Sequence, residues 1–301
     1  MSSRPRSLTQ RHGSLGGSDA AAAVNLSRYK TPFQLWQEKL GLVEVPDLTD
    51  NESVRFGKLL EDVVAEEFSR RRGLNLRRDN RTLVHPTLPF LTAHIDRRVV
   101  GEREGLECKT ANLRMAREWG EQDTDQVPEE YLAQSAHYMA VTGFVAWHVA
   151  VLIAGNDYRM YRIERDEELI ERLVNAERKF WQFVEDKIPP PPATLDDAFA
   201  IWPHDTGGYV LATTEILTEA EKLQKLKKQQ KLVEALIAET QLKIEVFMQT
   251  KTTLMATPTD KIATWATQQT RRVDVAMLRE KHPDIAAACE RVSETRVFRL
   301  K

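Results

Sequence analysis

The chain has 301 residues, 42% hydrophobic and 29% charged, with a formal net charge of −2 and two cysteines. That length can bury one large core or two modest ones, and the near-zero charge gives no global pull toward nucleic acid, so DNA binding would need locally concentrated positive charge. Two distant cysteines exclude a disulfide framework, a structural zinc site and an iron–sulfur cluster; no apolar run is long enough to span a bilayer, and the basic start, MSSRPRSLTQRHGS, lacks an apolar signal core, so the expected location is the cytoplasm of a bacterial or phage-infected cell.

Taken in order, Ser18 to Leu40 reads as two helical pieces with a break at Ser27 to Pro32. Ser53 to Arg72 is an amphipathic helix, with Val54, Leu59, Leu60, Val63, Val64 and Phe68 at helical spacing and Gly73 as its stop. Strand-like pieces follow at Arg81 to Val84, Phe90 to Val100 and Gly105 to Thr110. Pro128 to Thr142 is a second buried helix. Ala146 to Ala154 is a strand with Arg159 to Glu164 as its hairpin partner across Gly155-Asn156-Asp157. Asp166 to Lys187 is a further helix, ended by IPPPPA because proline cannot continue it. These elements describe an α/β (α+β) domain over residues 1–210, with a boundary in the Pro/Gly/Asp stretch from Trp202 to Gly208. Residues 211–301 form a second part. Its long helix, Thr218 to about Gln249, opens on a Thr218/Glu221 capping box. Leu223, Leu226, Val233, Ile237, Ile244 and Phe247 make a heptad-like seam, interrupted by Gln230 and Thr240. That helix either packs on its own protein or pairs as a coiled coil. A small α+β appendage follows: a strand-like run, helices at Val275 to Lys281 and from Pro283 to Arg291, and a final RVFRLK strand.

The chemistry gathers in the run GLECKTAN. On a strand, Glu107 and Lys109 point to one face, with Cys108 on the other. Asp96, in LTAHIDRRV, belongs to the preceding strand-like segment, and a turn at Gly101 to Gly105 brings it beside Glu107. Two carboxylates at short range repel unless a cation lies between them, and oxygen ligands of this kind suit Mg²⁺ or Mn²⁺. Protonated Lys109 cannot be a ligand; it can orient or deprotonate a water, or hold charge on a phosphate. Glu61, in FGKLLE, can complete the coordination from the helix. Each residue has a plainer reading: single acids are mostly surface residues, Glu-x-Lys on a strand is usually an exposed pair, and helix carboxylates such as Glu61 usually face water. The arginine pairs (Arg70 to Arg72, Arg77 and Arg78, Arg97 and Arg98, Arg271 and Arg272) read singly as solvated surface.

The ordered set of helix Glu, strand Asp, strand Glu-x-Lys and polar helix resembles the PD-(D/E)XK nuclease fold, a mixed central sheet flanked by helices. More narrowly, LGGSDAAAAVNLSRYKTPFQLWQEKLG, FGKLLEDVVAEEF, TAHIDRR, GLECKTAN and YLAQSAHYMAVTG, from about Arg11 to Pro190, resemble the YqaJ-like viral recombinase family, to which phage lambda exonuclease is similar. The resemblance implies that Asp96, Glu107, Glu61 and the main-chain carbonyl of Cys108 hold metal, two Mg²⁺ ions with Mn²⁺ as a substitute. It gives Lys109 as the motif lysine, with Gln134 and Tyr138 as the polar helix pair beside the site. It places Arg11 and Ser18 on the 5′-phosphate of a DNA end, with a simple helix cap as the alternative for Ser18. His94, two residues before Asp96, faces the same cleft as a further DNA contact or is a core or surface histidine. The implied activity is 5′-to-3′ digestion of double-stranded DNA, leaving 3′ overhangs for recombination with a single-strand annealing protein, in an oligomer that is a trimeric ring in lambda-type members. The alternatives are an endonuclease or RecB-like repair nuclease of the same fold, and a non-catalytic DNA-binding scaffold.

Overall fold

The structure is a computed structural model that describes residues 13–45, 47, 48 and 50–300. The chain divides into two compact units, Met1–Trp202 and Pro203–Lys301.

The first unit is built on a five-stranded mixed sheet. Its strands are β2 (Leu76–Arg78), β5 (Arg97–Val99), β6 (Glu104–Ala111), β7 (Ala146–Ile153) and β8 (Asp157–Glu164), in the order β2-β5-β6-β7-β8. β6 and β7 run parallel, from Glu104 opposite Ala146 to Ala111 opposite Ile153, and the other neighbours are antiparallel. A smaller sheet joins β1 (Leu15–Gly16), β4 (Leu91–Ala93) and β3 (Leu83–Val84). The mixed sheet with flanking helices is the expected architecture.

β7 reads AWHVAVLI, an unbroken apolar run but for His148, because both its faces are covered; every residue but Leu152 is buried. Helix α1 (Gly17–Ala23) is short and alanine-rich. Helix α2 (Pro32–Lys39) starts from a Thr31 cap with proline in its first turn. Helix α3 (Glu52–Arg72) is capped by Asn51 and stops at Gly73, whose φ of 67° lies in the left-handed region glycine tolerates. It lays Val64, Ala65 and Phe68 on the sheet face that carries Leu106, Cys108 and Ala150. Helix α4 (Glu129–Thr142) and helix α5 (Glu167–Asp186) cover the other face, with Trp147, Val149 and Val151 in the larger core. A short 3₁₀ helix (Leu113–Glu118) follows β6, and helix α6 (Leu195–Ile201) closes the unit.

Several boundaries differ from the sequence reading. Phe90 to Val100 is not one strand: β4 and β5 belong to different sheets, and Asp96 lies in the bend between them. β2 was not anticipated, because its LRR reads as charged surface. β8 begins at Asp157; the turn is at residues 154–156, with positive φ at Ala154 and Gly155. On α3, Phe56, Leu59 and Val63 are 52%, 59% and 52% exposed. Part of that helix's apolar spacing therefore faces away from the sheet.

The second unit consists of helix α7 (Thr214–Met248), the hairpin β9 (Thr253–Thr257) and β10 (Asp260–Thr264), and helices α8 (Val275–Lys281) and α9 (Pro283–Ala288). α7 starts earlier than expected, from a Thr213 side chain that accepts the Ile216 N–H. α9 ends at Ala288 rather than Arg291, and residues 296–300 form no strand. With no neighbour to pair, RVFRL has nowhere to place a strand's backbone hydrogen bonds. Met248 is the one buried residue among the described residues of this unit.

Candidate active site

β6 places the key side chains by alternation. Leu106 and Cys108 enter the core under α3. Glu107 and Lys109 point to the opposite face, where α4 meets them. Glu107 is 5% exposed. Its Oε1 accepts from Lys109 Nζ at 2.6 Å and from Gln134 Nε2 at 2.8 Å. The second Gln134 N–H donates to Tyr138 Oη at 2.8 Å, one turn further along α4. Glu107 Oε2 is buried and has no hydrogen-bond partner among the described residues.

Asp96 reaches the same place from the preceding bend. β5 and β6 pair Arg97 with Leu106 and Arg98 with Gly105, and one more step of that register sets Asp96 opposite Glu107. Asp96 Oδ2 accepts the Cys108 N–H at 2.8 Å. Burial pushes the Asp96 carboxyl well above the usual range, and the charges of Glu107 and then Glu61 push the same way. Burial opposes the charge on Lys109, but Glu107, Tyr131 and Asp96 outweigh it and hold the ammonium form. Lys109 Nζ also lies 4.8 Å from the centre of the Tyr131 ring, which stacks on Trp119 at 5.2 Å. Burial, then Asp96 and Glu107, push the Cys108 thiol up, so it is no nucleophile at neutral pH.

These donors fit a hard divalent cation. They are all oxygens: two carboxylates and the Cys108 carbonyl. One carboxylate carries a buried oxygen without a partner among the described residues, and the other is disfavoured as an anion by burial and then by its acidic neighbours. Among the described residues, no three His, Cys, Asp or Glu side chains converge closely enough to hold a metal.

Glu61 is held by Arg97. Its Oε1 accepts from Arg97 Nη1 at 2.7 Å, and Arg97 also donates to the Asp96 carbonyl at 2.7 Å and to Asp62. Arg97 shares a face with Leu106, its register partner, and so projects toward α3, whereas Glu107 projects toward α4.

Of the residues assigned to a DNA end, Arg11 lies outside the described residues. Ser18 is exposed at the second position of α1. The backbone beside it closes on the site: a Cβ on Gly17 would sit 2.3 Å from Tyr138 Cε1. His94 is half-buried, with Nε2 3.3 Å from Thr82 Oγ1. Most of the arginines weighed as positive patches have a carboxylate partner: Arg70 and Arg71 share Glu67, Arg72 meets Asp123, and Arg78 and Arg97 share Asp62.

Sequence reasoning missed Arg97, Tyr131 and Gly17. Arg97 had a signal: in the run RRV it alternates with Val99, which is 2% exposed, so a strand there buries both. Tyr131, three residues before Gln134, shares its helix face. The double glycine of LGGSD marked a close backbone approach.

Residues 8–145 match the family profile of the YqaJ-like viral recombinase domain, which bears out the family resemblance read from the motifs. A Bacillus subtilis (strain 168) protein designated YqaJ is 42% identical over 181 residues, 60% of this chain; the chain spans only 56% of that relative's length. Among solved structures, an alkaline exonuclease from Laribacter hongkongensis is 20% identical with a TM-score of 0.49, covering 60% of this chain and 92% of its own. A phage-related exonuclease from Haemophilus somnus 129PT is 15% identical with a TM-score of 0.41, covering 58% and 96%.

Proposed function

We propose that the first unit is a metal-dependent deoxyribonuclease that digests double-stranded DNA from its ends, 5′ to 3′, leaving 3′ single strands for recombination by annealing. The observation that carries this reading is the buried Glu107–Lys109–Gln134 network on β6 and α4, with Asp96 facing it from the bend before β5. Two acids, a charged lysine and a bonded glutamine are held together at a cost that burial makes large. A matching family profile for a viral recombinase domain supports the same reading.

Asp96, Glu107 and the Cys108 carbonyl would hold Mg²⁺, or Mn²⁺ in its place. Bound there, the ion supplies positive charge against a phosphodiester and makes an attacking water more acidic. Lys109 presents its ammonium to the phosphate oxygens, where negative charge develops. Gln134 keeps the Glu107 carboxylate from rotating, and Tyr138 keeps Gln134 in place. The start of α1, packed on Tyr138 through Gly17, brings Ser18 toward the site as a hydroxyl for a terminal 5′-phosphate, with Arg11 as its cationic partner. A single-strand annealing protein as partner and a ring-shaped oligomer, which would concentrate positive charge on an inner surface, belong to this reading.

The test is digestion of linear duplex DNA, 5′-phosphorylated or 5′-hydroxyl, beside a closed circle, with Mg²⁺ or with chelator. Mg²⁺-dependent loss of the phosphorylated linear DNA alone is the expected result. Cutting of the circle would replace it with an endonuclease. No metal-dependent cleavage of any substrate would leave a non-catalytic DNA-binding scaffold.

A further inference from the structure

We propose that Lys225, Lys228 and Lys231 of α7 form a phosphate-binding row that holds duplex DNA by its backbone, without regard to sequence. The choice of DNA rests on the nuclease reading above; the row itself lies in the second unit, on residues that reading does not use.

Charge points to the second unit. From Pro203 onward the chain has sixteen Lys and Arg against thirteen Asp and Glu, a net charge of +3, which leaves −5 for residues 1–202. A unit with that negative balance repels a polyanion except where cations gather. Its run from Arg70 to Arg78 has five arginines, but four of them meet carboxylates. In α7, Lys222, Lys225, Lys227, Lys228 and Lys231 follow one another with no acid between them. The ion pairs of that helix are Lys222 with Glu219 and Lys243 with Glu239, so Lys225, Lys228 and Lys231 have none among the described residues. Glu234, the next acid, accepts instead from Gln230 at 2.9 Å. Like charges three or four residues apart weaken a helix, and here Lys225, Lys228 and Lys231 follow at intervals of three. The row costs α7 stability, and nothing within the helix neutralises it.

Geometry leaves the row open. All three lysines are exposed. With 3.6 residues per turn, Leu223, Leu226, Val233 and Ile237 fall on the opposite side of α7. Val233 and Ile237 line a groove there with Trp265 of the chain that leaves the hairpin. Whatever seats on the apolar side therefore leaves the lysines uncovered. At 1.5 Å per residue the row spans roughly 9 Å, the axial length of about three phosphates along one strand of a duplex. An ammonium on a flexible stem meets a phosphate as a point charge, which suits contacts that carry no sequence information. An anionic membrane fits less well. Laid flat along α7 it would also meet Glu221 and Glu239, which helical spacing puts on the same side beyond either end of the row. A duplex crossing the helix meets the row alone.

The test is fluorescence anisotropy of a labelled blunt duplex with the intact chain, in chelator so that nothing is cleaved, over a range of NaCl concentrations. Combining Lys225→Gln, Lys228→Gln and Lys231→Gln should weaken binding at about 0.1 M salt by roughly tenfold or more, and should make the slope of log affinity against log salt shallower by about 3. The three corresponding Arg substitutions should bind as the wild type does. Combining Lys243→Gln, Lys251→Gln and Lys281→Gln removes the same net charge and should leave the slope in place. Circular dichroism checks the helix content of each variant. An unchanged slope in the first Gln variant would overturn the proposal, as would an equal loss in the second, which would reduce the effect to net charge. Binding to vesicles of phosphatidylglycerol that needs the three lysines, with DNA binding that does not, would replace DNA with a membrane surface. A wild type that does not bind the duplex would also overturn it. Digestion of linear DNA by the wild type in Mg²⁺ is scored separately, so the nuclease reading stands or falls on its own result.

Discussion

The two units carry the same kind of apolar periodicity and meet opposite fates. In the first, the apolar run of β7 disappears into a core in which Trp147, Val149, Val151 and Ile153 are fully buried. In the second, α7 keeps a heptad-like seam over most of its length, yet Val233, Ile237 and Phe247 are 52%, 58% and 77% exposed. The difference teaches what period alone decides: whether a segment is a helix or a strand, and which side chains share a face. It does not say what covers that face. Burial comes from neighbours. β7 has two strands and two layers of helix around it. α7 has a short hairpin and little else, and its exposed turns are held by local pairs such as Lys243 with Glu239.

Substitutions in both units can break or sharpen the contrast. The largest effect belongs to Lys109→Ala, which is expected to lower DNA cleavage by roughly 10²–10⁴-fold, as loss of a positioned charge or proton-transfer group does. Lys243→Ala on α7 should leave the cleavage rate unchanged, and an equal loss there would break the contrast. Next comes Trp147→Ala, which should cost about 3–5 kcal/mol in urea denaturation by emptying a fully packed site. Gly17→Ala should cost about 1–3 kcal/mol, because the new methyl meets the Tyr138 ring rather than a flexible side chain; it should also slow cleavage by displacing Tyr138 from Gln134.

A pH effect ranks below these. His137 and Glu177 pair at 2.7 Å with no exposure, and the second imidazole nitrogen lies 3.0 Å from the Thr92 carbonyl. Burial opposes the histidine's charge, but Glu177 outweighs it and raises the pKa above the ordinary value. That stability is fully present below about pH 6.5, the unfolded value, and fades as pH rises through the folded one. The wild type should therefore lose more of its denaturation midpoint than His137→Gln between about pH 6 and about pH 9. The smallest effect is Ile237→Ala, expected to stay within about 0.5 kcal/mol because its side chain is already in water. A cost of several kcal/mol would show that α7 is covered in solution.

Much of the site was legible because its groups sit on elements with strong local signals. Glu107 and Lys109 lie on a strand that follows the turn at Gly101, and Gln134 and Tyr138 are one helical turn apart. Asp96 was legible as a residue, though its strand was not: LTAHIDRRV has the composition of a continuous strand, and only tertiary pairing divides it between two sheets. The same limit hid β2 and the burial of Arg97, since an arginine in the core depends on carboxylates thirty-five or more residues away in sequence. In the second unit the helix was legible and its start was not. Thr213 and Thr218 both offer a capping hydroxyl, and no tertiary contact was available in the sequence to choose between them.

The parallel pairing of β6 with β7 sets an order in time. A parallel neighbour must follow a crossover, so β6 leaves the ribosome before α4 and β7 exist to cover it. At about 5–20 residues per second, Glu107 and Lys109 wait a few seconds for Gln134 and Tyr138, with the floor of the site unpaired on one side. Asp96 and the grip of Arg97 on Glu61 are by then already available, since α3 and β5 precede β6 in the chain. The nascent protein thus acquires the buried charge of Arg97 before Glu107 emerges, and its Glu107–Lys109–Gln134 network is complete only when the crossover closes.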